Sequence, residues 1–215
     1  MKRSLMFWGK QGILLFGTGI GIALIICSFL GLRMGSMEQT TTGLFFFLPF
    51  YIAFTNSFML ISGLGGIRRN YIPVVIAMNG GRKRTFWGIN FMALLVIGLS
   101  SFPLLFVKLW LGTNENDLFF VWIGGMFLAG SLGILVEIIA IRWGNWGVVL
   151  VSIATGAFGA VVGLITAGLK VTKMIQWMDM VVTMKTGWFL TVSIVIFLIF
   201  AFLNVFLNRN YEVAL

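Results

Sequence analysis

One uncharged stretch, Thr186 to Asn208, reads TGWFLTVSIVIFLIFAFLNVFLN. It is almost entirely apolar, and a helix rising about 1.5 Å per residue needs about 20 such residues to cross a hydrocarbon core of about 30 Å. Five other stretches have the same character. The spans predicted from all six are about 11–32, 43–66, 85–109, 118–141, 146–169 and 187–208. The predicted fold class is therefore all-α, a polytopic membrane protein with a single transmembrane domain over 1–215.

The composition agrees with this assignment. Hydrophobic residues make up 60% of the chain and charged residues 10%, and the mean hydropathy is +1.04. A water-soluble domain of this size with that composition would aggregate. The first apolar run is also longer than the 7 to 15 apolar residues, roughly, of a signal peptide. We therefore interpret it as a span.

The basic residues divide unequally between the two sides of the predicted membrane. The side that holds both termini has ten Lys and Arg residues and two acidic residues, a net charge of +8. The other side has five Lys and Arg residues and four acidic residues, a net charge of +1. Because cytoplasmic loops retain Lys and Arg, both termini are predicted to be cytoplasmic. The charges flank apolar spans and form no free basic face, which favours membrane lipid as their partner and not nucleic acid.

Residue types needed for catalysis are scarce. The chain has no His, one Cys and six acids, most of them in predicted loops. This composition excludes His-dependent proteases and haem carriers, and it supplies no cluster of metal ligands. No phosphate-binding loop of the Gly-x-x-x-x-Gly-Lys-Ser/Thr type is present either. We therefore predict no enzyme activity, no catalytic residue and no metal site in this chain.

The predicted cytoplasmic segment 71–78, YIPVVIAM, is unusually apolar for a loop. Pro73 suits the first turn of a short helix, and Asn79-Gly80-Gly81 suits its end. The apolar residues that such a helix would present are Val74, Val75, Ile76 and Met78. Two interpretations stay open from the residues alone, a helix that docks against a protein and a helix that rests in lipid headgroups.

The loop before the last span has a second amphipathic pattern. Its polar residues are Thr172, Gln176, Asp179 and Thr183. Its apolar residues on the opposite face are Met174, Trp177, Met178 and Val181. The spacing predicts an amphipathic helix that lies on, or dips into, the outer leaflet.

A few strongly polar residues fall inside the predicted spans: Asn56, Asn90, Glu137 and Asn204. An ionisable group at that depth faces protein or water, because an unpaired charge in hydrocarbon is costly. Arg142 is the nearest cation to Glu137 in sequence, which favours an ion pair at the inner interface. The alternative is a substrate or proton site.

Two motifs carry a resemblance to a known family. The stretch 79–88, NGGRKRTFWG, resembles the pattern of type-two ABC exporter permeases, in which a short helix precedes Gly, a basic pair and an aromatic residue opening the third span. The stretch 142–147, RWGNWG, resembles the basic, Gly-bearing turn between the fourth and fifth spans of that family. With the six-span layout, the resemblance covers nearly the whole chain.

The resemblance implies a permease subunit of an ATP-driven exporter in a bacterial cell membrane. It would pair with a second permease subunit and with separate ABC ATPase subunits, which would hold ATP and Mg, so this chain would carry no cofactor. The helix between spans two and three would be the coupling helix, seated in a groove of the ATPase. The residues it would place there are Tyr71, Ile72, Pro73, Val74, Val75, Ile76 and Met78, with Arg82, Lys83 and Arg84 at its exit.

Two further elements follow from the resemblance. The segment 2–11 would be an elbow helix in the inner interface. The outer helix, with Met174, Trp177, Met178 and Asp179, would either gate the translocation path or only anchor the chain. The exported substrate, the direction of transport and the choice between homodimer and heterodimer stay open.

Two other functions are compatible with the sequence. One is the substrate-capture subunit of an energy-coupled vitamin importer, which also has six spans in about this length. Such a subunit would dock through small residues of its first span, where Gly17 and Gly21 are four residues apart. The other is a membrane scaffold with no role in transport.

Overall fold

The computed structural model describes residues 2–33, 48, 51–64, 72–77, 82–111, 116–168 and 186–208 of the 215, and between 151 and 168 the description covers the backbone alone. Every element in these ranges is helical. The helices are α1 Lys2–Arg33, α2 Tyr51–Leu64, α3 Ile72–Ala77, α4 Arg82–Leu111, α5 Asn116–Gly168 and α6 Thr186–Asn208. The predicted all-α class is confirmed for the described part of the chain.

Among the described residues, four helices are long and apolar enough to cross a membrane. They are Leu5–Phe29 in α1, Arg84–Phe106 in α4, Phe119–Gly144 in α5 and Gly187–Asn208 in α6. The apolar helix α2 is shorter. These four correspond to the predicted first, third, fourth and sixth spans, and they are compatible with a transmembrane protein.

Large apolar side chains cover the outside of the long helices. Phe29 on α1 is 70% exposed, and on α4 Phe102 is 70% and Leu109 is 72% exposed. A water-soluble monomer rarely exposes apolar surface on this scale, because such patches drive aggregation. Lipid chains are as apolar as these side chains, so a hydrocarbon surrounding removes that penalty.

The fourth helix is the centre of the bundle. It packs against α1, α3, α5 and α6, and the most extensive single contact joins α5 to α6. One buried cluster runs through all the helices, and it includes Trp8, Leu60, Ile72, Phe86, Met92, Ile134 and Phe197. Because lipid supplies no hydrophobic drive for helices to associate, close packing and polar contacts must hold them together.

The N-terminal segment does not form the separate interfacial helix that the family resemblance implies. Helix α1 runs unbroken from Lys2 to Arg33. The indole of Trp8 is fully buried, where it meets Phe7 edge-on at 5.2 Å between ring centroids and lies over Gly88 of α4. Gly88 has no side chain, so its surface leaves a slot for the indole. Packing in this slot keeps the start of α1 in line with its span.

A backbone break divides α5. Gly144 has φ 66° and ψ −148°, a conformation that is essentially restricted to glycine. It lies in the RWGNWG stretch, where the sequence predicts a turn between two spans. The flanking Trp143 and Trp146 are both strongly exposed, which suits the aromatic belt at a membrane surface.

Candidate functional site

The short helix α3 lies inside the interval predicted for a coupling helix. Its Ile72 is fully buried and its Val75 is 2% exposed, and both belong to the chain's own buried cluster, beside α4. Ile76 is half-buried at the margin of this cluster. One face of α3 is therefore fixed to the bundle. Tyr71 and Met78 lie outside the described residues.

Three cations follow in the first turn of α4, which begins at Arg82. Arg84 is exposed, whereas the next two residues, Thr85 and Phe86, are buried. Positive charge at a helix N-terminus opposes the helix dipole, so helix stability does not explain these residues. An anionic neighbour, either lipid or an acidic protein surface, would explain them.

Hydroxyl groups inside the helices satisfy themselves locally. Nine of the described hydroxyls donate to a backbone carbonyl three or four residues earlier in their own helix: Thr18, Ser28, Thr55, Ser62, Ser100, Ser101, Ser131, Thr191 and Ser193. Such bonds let a hydroxyl sit in an apolar surrounding without a partner on another helix. A carboxylate has no hydrogen to donate in this way, and an amide has a second N–H and an oxygen left to satisfy, so these side chains are the informative polar groups.

Three long helices bring four of these groups together. Asn90 of α4, Glu137 of α5 and Asn204 and Asn208 of α6 are all buried. The Asn204 amide donates to Glu137 Oε2 at 3.2 Å and to Asn90 Oδ1 at 3.3 Å. Asn208 donates to Asn204 Oδ1 at 2.9 Å, and Asn90 donates to the carbonyl of Ala201 at 2.8 Å. We call these four side chains the polar cluster.

The cluster lies near one end of the bundle. Asn90 is six residues inside α4 from Arg84, and Glu137 is seven residues before the break at Gly144, so each is about 10 Å from that end. Sequence reasoning singled out Asn90, Glu137 and Asn204 but missed Asn208. The signal was present, because Asn204 and Asn208 are four residues apart and therefore share a helix face.

Arg142, the expected ion-pair partner of Glu137, points elsewhere. Its exposed guanidinium donates from Nη2 to the carbonyl oxygen of Leu207 at 3.5 Å. Within the described part of the chain, Glu137 Oε2 is bonded to Asn204 and Oε1 has no hydrogen-bond partner. The helix geometry explains this arrangement. Residues five apart are separated by about 140° around the axis, so the two side chains leave α5 on different faces.

Asn56, the remaining polar residue singled out in the spans, is not part of the cluster. It is fully buried where α2 approaches α1, and its amide lies against Gly19. Neither its Oδ1 nor its Nδ2 has a hydrogen-bond partner among the described residues. A side chain at Gly19 would occupy the same space, so glycine there sets the close approach of the two helices.

The pair Gly17 and Gly21 lies on an open face of α1. A Cβ atom added at either position would meet no described atom within 4 Å. Thr18, between them, is exposed and comes within 3.9 Å of Met59 Sδ. A close internal contact of α1 is made at Gly19, whereas the described residues leave the Gly17–Gly21 face uncovered.

Part of the predicted site lies beyond what the structure describes. The proposed outer gate residues Met174, Trp177, Met178 and Asp179 lie outside the described residues. In the described ranges, no group of three or more His, Cys, Asp or Glu residues is placed to hold a metal ion.

The class that these features define is a helical protein with membrane-length helices and a polar cluster buried between three of them. Comparison with known family models, with characterised proteins and with solved structures gave no match to this chain. An account of its function therefore depends on its own residues.

Proposed function

We propose that this chain is the permease subunit of an ATP-driven exporter of the type-two ABC kind. It would form the translocation path with a second permease subunit and would receive its energy from separate ATPase subunits that hold ATP and Mg. The supporting observation is the position and anchoring of α3, a short helix between α2 and α4 with one face locked into the bundle.

An anchored helix is what mechanical coupling requires. Ile72 and Val75 fix α3 beside α4, so a push on α3 is passed to α4. Helix α4 in turn packs against α1, α5 and α6. Because packed interiors resist compression, a movement at α3 would reach these three helices. A helix that rested only in headgroups would pass on no such force.

The surface available to an ATPase lies at the margin of α3 and at the start of α4. Ile76 is half-buried there and Arg84 is exposed. An apolar contact through Ile76 with charge pairing through Arg84 would suit a groove with an acidic rim. The buried Val75 is a poor test residue, since a charge there would damage the chain's own core.

The test is to express the chain with its candidate ATPase and to measure copurification and ATPase stimulation. Variants Ile76→Asp and Arg84→Glu would place a carboxylate in the proposed contact, and each is expected to weaken association by about tenfold or more, because about 1.4 kcal/mol suffices for tenfold. The matched control is Arg142→Glu, which also reverses an exposed cation but is on α5, where it bonds to Leu207. It should retain the ATPase.

Two results would contradict the proposal. One is that both test variants bind and stimulate the ATPase as well as the control does. The other is that no ATPase associates with the unmodified chain, which would favour a scaffold. Membrane insertion of each variant, measured by its yield in the membrane fraction, separates lost binding from lost folding.

A second candidate has its own supporting observation. The open face at Gly17 and Gly21 suits the docking of an importer's substrate-capture subunit against a partner helix. Replacing both glycines by Ile would fill that face. Loss of an associated membrane partner, with the α3 variants unaffected, would favour the importer.

A further inference from the structure

The polar cluster has more acceptor capacity than donor capacity. Asn204 donates one amide N–H group to Glu137 and the other to Asn90. The side-chain oxygens of Asn90 and Asn204 each accept one bond, and each retains a second lone pair. Glu137 Oε1, which is fully buried, accepts no bond from any described group. No bond joins Oε1 to the second N–H group of Asn90 or of Asn208, so the unmet need at this oxygen is for positive charge or a donated proton.

Among the side chains that the structure describes, no cation bonds to Glu137. The charged or titratable side chains on the helices packed around Glu137 are Arg82, Lys83, Arg84 and Lys108 on α4, Asp117 and Arg142 on α5, and Tyr51 on α2. Helices α3 and α6 contain none.

Exposure or position along the helix backbone separates the other groups from the carboxyl, whereas the side chains of Arg82 and Lys83 lie outside the described part of the structure. Arg84 is exposed in the first turn of α4, and Arg142 is exposed and bonded to Leu207. At about 1.5 Å per residue, Lys108 is about 27 Å from Asn90 along α4. Asp117 is about 30 Å from Glu137 along α5 by the same measure. On α2, the residue that meets α5 at Gly133 is Leu64. Tyr51 lies thirteen residues earlier on the same helix.

We propose that the polar cluster of Asn90, Glu137, Asn204 and Asn208 binds one small monovalent cation, a proton or a bare sodium ion, between α4, α5 and α6. A single positive charge would neutralise the one carboxylate, which is otherwise isolated in an apolar surrounding. It would bind at Oε1, the oxygen without a partner.

The oxygen set is chemically suited to such an ion. Carboxylate and amide oxygens are the ligands that hard cations take in proteins. Glu137 Oε1 and Asn90 Oδ1 would supply oxygens from α5 and α4 to sodium, while Asn204 of α6, whose amide nitrogen donates to both residues, would hold them in place. A proton would need Oε1 alone. A divalent ion would leave one positive charge uncompensated, because Glu137 is the only acid in the cluster.

The site differs from the proposed ATPase contact and does not depend on it. It lies inside the chain, and binding would tie the three helices together. A cation that binds the folded state alone stabilises it, and at a concentration of about one hundred times its dissociation constant the melting temperature should rise by about 5 °C or more. The chain can therefore be tested without any partner.

The experiment measures the melting temperature of the purified full-length chain in detergent micelles. One series exchanges choline chloride for sodium chloride at constant ionic strength, and a second varies pH without sodium. The test variant is Glu137→Gln, which keeps the shape of the side chain and removes its charge. The control is Glu115→Gln, an acid that precedes α5 in the sequence and lies outside the cluster.

A sodium site predicts that sodium but not choline raises the melting temperature, and that Glu137→Gln abolishes the effect while Glu115→Gln keeps it. A proton site predicts no sodium effect, a pH-dependent melting temperature that Glu137→Gln flattens, and an infrared band of a protonated carboxyl that Glu137→Gln removes. The proposal is overturned if Glu137→Gln leaves both series unchanged and the infrared spectrum shows an ionised carboxylate at Glu137 that responds to neither cation.

Discussion

The sharpest test of the fold concerns the contact between α5 and α2 at Gly133. A Cβ atom at this position would lie 2.8 Å from the backbone carbonyl oxygen of Leu60 and 2.7 Å from Leu64 Cδ1. Leu64 can rotate, but the Leu60 carbonyl belongs to a helix backbone and cannot. The variant Gly133→Ala must therefore push the two helices apart, and overpacking of this kind costs about 1–3 kcal/mol.

Gly125 provides a matched control on the same helix. A Cβ atom there would meet nothing within 4 Å, so Gly125→Ala adds a methyl group without a clash. Both variants gain the higher helix propensity of Ala, worth about 1 kcal/mol. This gain cancels when the two variants are compared, and the difference isolates the packing term.

The assay is thermal unfolding of both variants in the same detergent. At about 2–4 °C per kcal/mol for a chain of this size, Gly133→Ala should melt roughly 2 to 12 °C below Gly125→Ala. Equal melting temperatures would show that α2 and α5 do not meet at Gly133, and the packing of α2 in the bundle would have to be revised.

Two further predictions follow from burial and from charge. Trp8→Ala should destabilise the chain by about 3–5 kcal/mol, because it empties a fully enclosed site, whereas Trp146→Ala, at 78% exposure, should have little effect in the same unfolding assay. A cysteine introduced at Arg84 should resist a membrane-impermeant thiol reagent in intact cells, and one at Asn116 should react. The native Cys27 is buried and should give little background, and the reverse labelling pattern would contradict a cytoplasmic position for both termini.

The sequence was most informative where one physical rule dominates. The length needed to cross a membrane predicts spans at 85–109, 118–141 and 187–208, and the corresponding helical segments are Arg84–Phe106, Phe119–Gly144 and Gly187–Asn208. The sequence predicts that the first span begins after Lys10, but the apolar helical segment begins at Leu5. A lysine stem can lie along apolar surface with its charge turned outward, so Lys10 did not mark a boundary.

The partners of buried groups were harder to predict. Nearness in sequence favoured Arg142 as the partner of Glu137, whereas the observed partner, Asn204, is 67 residues away on another helix. Likewise, the spacing of Gly17 and Gly21 marks a face of α1 suited to close helix contact, but the close contact within the described part of the chain falls at Gly19. Which face of a span meets protein depends on how several helices pack together, and a single periodicity does not contain that information.

The two proposed sites share one helix, and this suggests how they could communicate. Helix α4 contacts α3, and it carries Asn90 only six residues after the exposed Arg84. The two bonds that Asn204 makes, at 3.2 Å and 3.3 Å, are already at the long end for an N–H···O contact. A small movement of α4 relative to α6 would therefore shorten the bond to Asn90 or break it. A push on α3 would therefore alter the oxygen set around Glu137 before it rearranged the rest of the bundle, since the apolar contacts of α4 tolerate a sliding motion better than a directional hydrogen bond does.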